Sequence, residues 1–156
     1  MIETYNNFQE KKSQLFDEIG DHAVGALATS FNGKPYVRSV SCIIIDENVY
    51  FQTDKNMNKV TQIYKNPFVA ICFKHIQIQG ECEELCHPLH NSNTQFINLF
   101  KRYYPHAAQL YSYIENEHVY QITPTRIETW KYIEGEPYQE LFDINSEIYR
   151  LKKYNL

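Results

Sequence analysis

This sequence is short of excess basic charge, of cysteine, of long apolar runs and of linker-like composition, and each shortage removes a class of protein. Lysine and arginine number 15 against 19 aspartates and glutamates, a formal net charge of −4. An acidic chain offers no general attraction to nucleic acid or to an anionic bilayer. Neither is expected as a partner, and an anionic ligand has to be held by a local basic cluster. No run approaches the roughly 20 apolar residues that cross a bilayer. The opening MIETYNNFQEKKSQLF has no apolar core of signal-peptide length, so a cytoplasmic protein is expected. Cys42, Cys72, Cys82 and Cys86 are the four cysteines, and two of them fall inside apolar runs where the residue packs as a small hydrophobe. Free thiols are expected rather than disulfides. No repeat, low-complexity tract or Pro/Gly/Ser linker divides the chain, which reads as one domain over residues 1–156.

What is present is an ordinary globular composition, 43% hydrophobic and 22% charged, with 13 Tyr and 9 Phe. Apolar residues at helical spacing from Tyr5 to Ile19, followed by Gly20, predict a first helix. His22–Phe31 and Tyr36–Ile45 flank Asn32-Gly33-Lys34-Pro35 as a hairpin, and Asp46-Glu47-Asn48 turns the chain into a third strand, Val49–Thr53. A short helix is expected between Asn56, as its cap, and Tyr64, closed by Asn66-Pro67. Pro67–Phe73 is almost wholly apolar, as for a strand buried on both faces, while His75–Gln79 alternates and keeps one polar face. Phe96, Ile97, Phe100 and Tyr103 predict a third helix capped by Asn91 or Ser92, and Val119–Tyr132 returns to strand composition. The tail beyond Gly135 carries no decisive pattern. Strands with helices inserted among them indicate an α+β fold, a six- to seven-stranded antiparallel barrel with short flanking helices.

The chemistry concentrates between Arg38 and Lys59. Arg38, Val40 and Cys42 share one face of their strand. Antiparallel pairing carries Arg38 toward Thr53, and a helix begins just beyond it. Its free backbone N–H groups, the Thr53 hydroxyl, Arg38, Lys55 and Lys59 together would make a compact phosphate site. On spacing alone, the three basic residues read equally as solvated surface charges.

The run GKPYVRSVSCIIIDENVYFQTDKNMNKVTQIYKNPFVAICF, followed by HIQIQGECEEL, resembles the FMN-binding split barrels related to pyridoxamine 5′-phosphate oxidase, over roughly residues 20 to 133. The resemblance implies a homodimer with FMN between the subunits. It gives Arg38 and Lys59, helped by Lys55, the flavin phosphate, and places Val40, Cys42, Ile43, Gln52 and Thr53 along the isoalloxazine ring. From the partner subunit it implies His75, Gln77, Gln79 and Trp130, the only tryptophan. Taken by themselves, Trp130 reads as a core or interface aromatic and His75 as an exposed strand-start histidine. A hydroxyl often found before the phosphate lysine is here Met57-Asn58. The Arg and His that hold the vitamin substrate in the authentic oxidase are replaced after Trp130 by Lys131-Tyr-Ile-Glu-Gly-Glu-Pro-Tyr138.

The expectation is therefore an FMN-dependent oxidoreductase acting on a small organic substrate other than pyridoxamine phosphate, with NAD(P)H as a candidate electron donor and no assigned catalytic side chain. The alternatives are a non-enzymatic flavin or haem binder, acting as carrier or redox sensor, and a deazaflavin-using relative. Cys82, Cys86, His87 and His90 form the densest set of metal-capable side chains, but their spacing is not that of a zinc knuckle, and no metal is expected.

Overall fold

The hairpins follow from their turn residues. In the computed structural model, which describes residues 2–5 and 7–155, strands β2 (His22–Phe31) and β3 (Lys34–Ile45) are joined by Asn32 and Gly33 at φ 51° and 73°. Two left-handed residues match the twist of a two-residue hairpin, and Asn-Gly adopts them with the least strain. β4 (Asn48–Asp54) follows across Asp46 and Glu47, also left-handed at 51° and 61°. The register places Leu27 opposite Arg38 and Ile43 opposite Tyr50.

The expected first helix is α1 (Phe8–Ile19), ended by Gly20. Tyr5 belongs instead to strand β1 (Ile2–Tyr5), whose backbone pairs with Tyr149. The next helix, α2 (Asn58–Lys65), starts after Met57 rather than Asn56. The Asp54 carboxylate accepts from the Asn56 N–H at 2.8 Å, which holds Asn56 in the preceding turn. β5 (Phe68–Phe73) is not buried on both faces. Val69, Ile71 and Phe73 are buried, whereas Phe68 is 63% exposed. His75 lies in the turn before β6 (Ile76–Glu84), next to left-handed Lys74, rather than on the strand.

The third expected helix is α3 (Thr94–Tyr103). Asn91 and Ser92 form a 3₁₀ turn ahead of it, and Asn93 is the capping residue. A further helix, α4 (Pro105–Tyr111), follows, with proline in its first turn where the missing N–H costs nothing. β7 (Glu117–Ile133) then runs 17 residues, and the tail forms β8 (Glu136–Asp143) and β9 (Ile148–Lys153).

β7 pairs with β4 on one side and β6 on the other, closing an antiparallel barrel in the order β7-β4-β3-β2-β5-β6. β8, β9 and β1 extend the sheet beyond β7, so six strands form the barrel and three lie outside it. Where β6 meets β7 the register slips between Gln79 and Gly80, opposite Pro124, a bulge that tolerates a residue without an N–H. Alternate residues such as Leu27, Cys42, Val49, Phe51, Ile78 and Ile122 fill the interior, each aliphatic side chain contributing about 1.5–3 kcal/mol on burial. A second cluster, including Phe96, Phe100 and Ala108, packs α3 and α4 on the outer side of Ile43 and Val119. No helix among the described residues is long and apolar enough to cross a membrane.

Candidate functional site

The inner face of β3 carries Arg38, Val40, Cys42 and Ile44 in succession. The last three are buried in the barrel core, while Arg38 is partly exposed at the barrel mouth, beside α2. Arg38 Nη1 donates to the Leu27 carbonyl (3.2 Å) and to Thr29 Oγ1 (2.9 Å), and Nη2 donates to Gln62 Oε1 (2.8 Å). Thr29 Oγ1 in turn donates to the same Gln62 oxygen at 2.6 Å. From the first turn of α2, Lys59 Nζ donates to Thr53 Oγ1 at 2.9 Å.

These contacts make a cluster of two cations resting on neutral oxygens. Among the described residues, neither Arg38 nor Lys59 has a carboxylate within ion-pair distance. Burial, and then repulsion from Arg38, holds the Lys59 ammonium below its ordinary value, with Glu117 and Asp54 pulling the other way. Burial also lowers Arg38. Glu117 stands opposite Asp54 across the β4–β7 ladder and is 4% exposed. Burial and the neighbouring Asp54 push its carboxyl up to about 7, against the pull of Lys59. Two partly desolvated cations without an acid partner, next to hydroxyl and amide groups, fit an oxyanion with more than one charge. FMN carries such a group.

The remaining expected residues are placed unequally. Thr53 is in the cluster. Lys55 is exposed, and its side chain makes no hydrogen bond or ion pair among the described residues. The side chains of Val40 and Cys42 face the barrel core, and Ile43 lies under α3 and α4. Cys42 and Ile43 are fully buried, so a ring could meet only backbone there. Gln52 Oε1 already accepts from Ser112 Oγ at 2.9 Å. Gln77 and Gln79 are exposed on β6, which stands across the barrel from β3, and the exposed His75 precedes them. Gln77 and Gln79 thus lie on the outer face of β6, three strands around the barrel from the β3 that carries Arg38. Trp130 sits on the part of β7 that runs past the barrel. It packs edge-on against Tyr154 at 5.6 Å and walls a cavity of about 440 Å³ with Tyr132 and Pro137. A second cleft, of about 820 Å³, has Asp46 and Glu84 in its walls and no lysine or arginine, the wrong charge for a phosphate.

The four metal-capable residues do not converge. Cys82 points into the barrel core, where burial raises its thiol to about 12, and Cys86 is exposed. His87 Nε2 donates to the Ile114 carbonyl, and His90 Nδ1 contacts Ser92.

Thr29, Gln62 and Glu117 were not among the residues expected from sequence. Gln62 had a signal, since it lies three residues after Lys59 and shares its helix face. Thr29 had a weaker one, the inward alternation it shares with Leu27. Glu117 had none, because its burial depends on a strand pairing between distant segments.

A family profile described as pyridoxamine 5′-phosphate oxidase matches residues 12–131. General stress protein 26 of Bacillus subtilis is 34% identical over 77 residues, 49% of this chain and 51% of that relative. The aligned part thus spans about half the length of the curated relative. Among solved structures, the general stress protein 26 of Bacillus anthracis superposes with a TM-score of 0.60 at 20% identity, covering 76% of this chain and 92% of that one. A heme binding protein from Mycobacterium smegmatis superposes at 0.62 and 14% identity, covering 86% and 58%. At these identities the superpositions establish the split-barrel fold.

Proposed function

Since the chain belongs to the pyridoxamine 5′-phosphate oxidase family, we propose that it is a cytoplasmic, FMN-dependent oxidoreductase that works as a homodimer on a small organic substrate. The observation that carries this reading is the cation pair Arg38 and Lys59, partly buried on neutral oxygens with no carboxylate within ion-pair distance among the described residues. Arg38, Lys59 and the Thr53 hydroxyl would hold the phosphate. When bound, FMN supplies two-electron redox chemistry, and the protein supplies binding, orientation and electrostatics.

The homodimer is supported by the distance around the barrel between β3 and β6. On this reading Gln77 and Gln79 serve a flavin held at Arg38 from a second subunit. Trp130 and its aromatic cavity are a candidate wall for the ring or the substrate. Pyridoxamine phosphate itself fits poorly, because the exposed turn after Trp130 carries Glu134, which has no ion-pair partner among the described residues, beside Glu136, which Lys153 pairs at 3.4 Å, so that an anionic substrate would meet like charge. NAD(P)H is the proposed electron donor.

A second reading, a haem or flavin carrier without turnover, is favoured by the likeness to the heme binding protein and by the absence of an acid–base pair in contact with the cation cluster among the described residues. Titration with FMN, followed by quenching of flavin fluorescence, tests the cofactor. Arg38→Ala and Lys59→Ala should each weaken binding at least tenfold, as hydrogen bonds to charged groups are worth about 1.5–3 kcal/mol, whereas Lys55→Ala should change it little. Equal losses in all three variants would remove the phosphate assignment. Anaerobic bleaching of bound flavin by NADH or NADPH then separates the oxidoreductase from the carrier.

A further inference from the structure

The contacts of Arg38 divide its guanidinium into a used edge and a free one. Thr29 Oγ1 and Gln62 Oε1 lie 2.6 Å apart and accept from Nη1 and Nη2 respectively. Two oxygens at that separation, one on each terminal nitrogen, occupy the end of the fork much as the two oxygens of a carboxylate would. The other Nη1 hydrogen goes to the Leu27 carbonyl. Three of the five donors an arginine carries are thus taken. The two that remain, on Nε and Nη2, lie together along the side edge of the plane.

We propose that Gln62 and Thr29 are the positioning residues of the anion site, a neutral stand-in for a carboxylate that fixes Arg38 so that its side edge meets the phosphate of a flavin monophosphate. This rests on the phosphate reading above and adds two residues to it. Neutrality is the essential property. A glutamate at position 62 would hold the guanidinium equally well and cancel the charge that the ligand needs. The amide holds the orientation and leaves the charge. Gln62 is suited to this because α2 buries it to 8% exposure, one helical turn beyond Lys59, so one short helix both delivers the second cation and orients the first. Thr29 is 3% exposed on β2, and its hydroxyl is engaged by Arg38 and Gln62.

The test compares FMN with riboflavin, which has the ring and ribityl chain but no phosphate, by fluorescence titration of the full-length protein. The variants are Gln62→Leu, Gln62→Glu and Thr29→Val. Wild type is expected to prefer FMN over riboflavin. Gln62→Leu and Thr29→Val should weaken FMN roughly ten- to hundredfold, the worth of hydrogen bonds to a charged group, and leave riboflavin within about twofold. Gln62→Glu should match Arg38→Ala in its FMN loss while melting at or above the wild-type temperature. A purely structural role would weaken both flavins together. That result, or FMN binding at wild-type strength in Gln62→Glu, overturns the proposal, and the glutamate variant decides the matter even if the leucine variant does not fold. Wild type that binds FMN no better than riboflavin would instead overturn the phosphate reading itself, an outcome visible before any variant is compared.

Discussion

At the scale of single residues, Glu117 has the most to lose from the position it occupies. Its carboxyl is buried opposite Asp54, and its folded value of about 7 lies well above the ordinary 4.5. The native state therefore takes up a proton that the unfolded chain releases over that interval. This contribution to stability is complete below about pH 4.5 and is lost as pH rises through about 7. Glu117→Gln removes the titration, so the variant and wild type should unfold alike in urea at pH 4. At pH 8 the variant should be more stable by on the order of 1–3 kcal/mol, at about 1.4 kcal/mol per pKa unit. A wild-type stability that is flat between pH 5 and 8 would contradict the assignment. Arg38 and Lys59 were legible in the sequence because a charge interrupting an apolar strand, and a lysine in the first turn of a helix, are local facts. Val40, Cys42 and Ile43 are set along the ring by the family resemblance, backbone and side chains together, and burial of all three side chains leaves the β3 backbone as the part a ring could meet, which strand alternation cannot tell because it does not say which face is the core.

Among the elements, the β2–β3–β4 meander was readable because Asn32-Gly33 and Asp46-Glu47 are turn chemistry. The start of α2 was misplaced by one residue, since Asp54 competes for the Asn56 N–H. β5 looked doubly buried because Phe68 is apolar, yet that side chain is on the outer face. α4, β8 and β9 lacked clear periodicity, and their formation depends on packing against segments already in place. The β6–β7 bulge shows how closely two backbones can approach. A Cβ added at Gly80 would lie 2.4 Å from the Thr123 carbonyl oxygen, which cannot swing aside. At Gly25 it would meet the side chains of Phe73 and Ile71 instead. Gly80→Ala is expected to destabilise by about 1–3 kcal/mol, as other overpacked sites do, and by more than Gly25→Ala. Thermal unfolding of the two variants side by side measures the difference, and the reverse order would show that the bulge yields more easily than the core.

The molecule as a whole leaves apolar side chains exposed on one barrel wall. Register places Val37, Ala28, Ala70 and Gln79 in a single row across β3, β2, β5 and β6. Val24 and Phe68 fall on the same outer face, at 61% and 63% exposure, with Val37 at 71%. Exposed apolar side chains gathered on one face are what an interface would bury, and in the proposed homodimer this face contains the β6 glutamines that a partner would bring to the flavin. Sedimentation equilibrium is expected to give a dimer for wild type and a monomer for the Val37→Glu, Phe68→Glu pair, with FMN affinity falling in parallel. A monomeric wild type that still binds FMN tightly would remove the shared site.

β7 belongs to two structures at once. Its first part completes the barrel against β4 and β6, and its last part carries β8, then β9, then β1. The barrel cannot close until a segment more than thirty residues downstream of β6's last residue returns past two helices, a long loop to close before its contacts repay the entropy. The slow step of folding should thus be the arrival of this one strand. Because, among the described residues, the outer ribbon is hydrogen-bonded to the barrel strands through β7 alone, its amide hydrogens should exchange no more slowly than those of β7, so that ribbon and barrel seam open together.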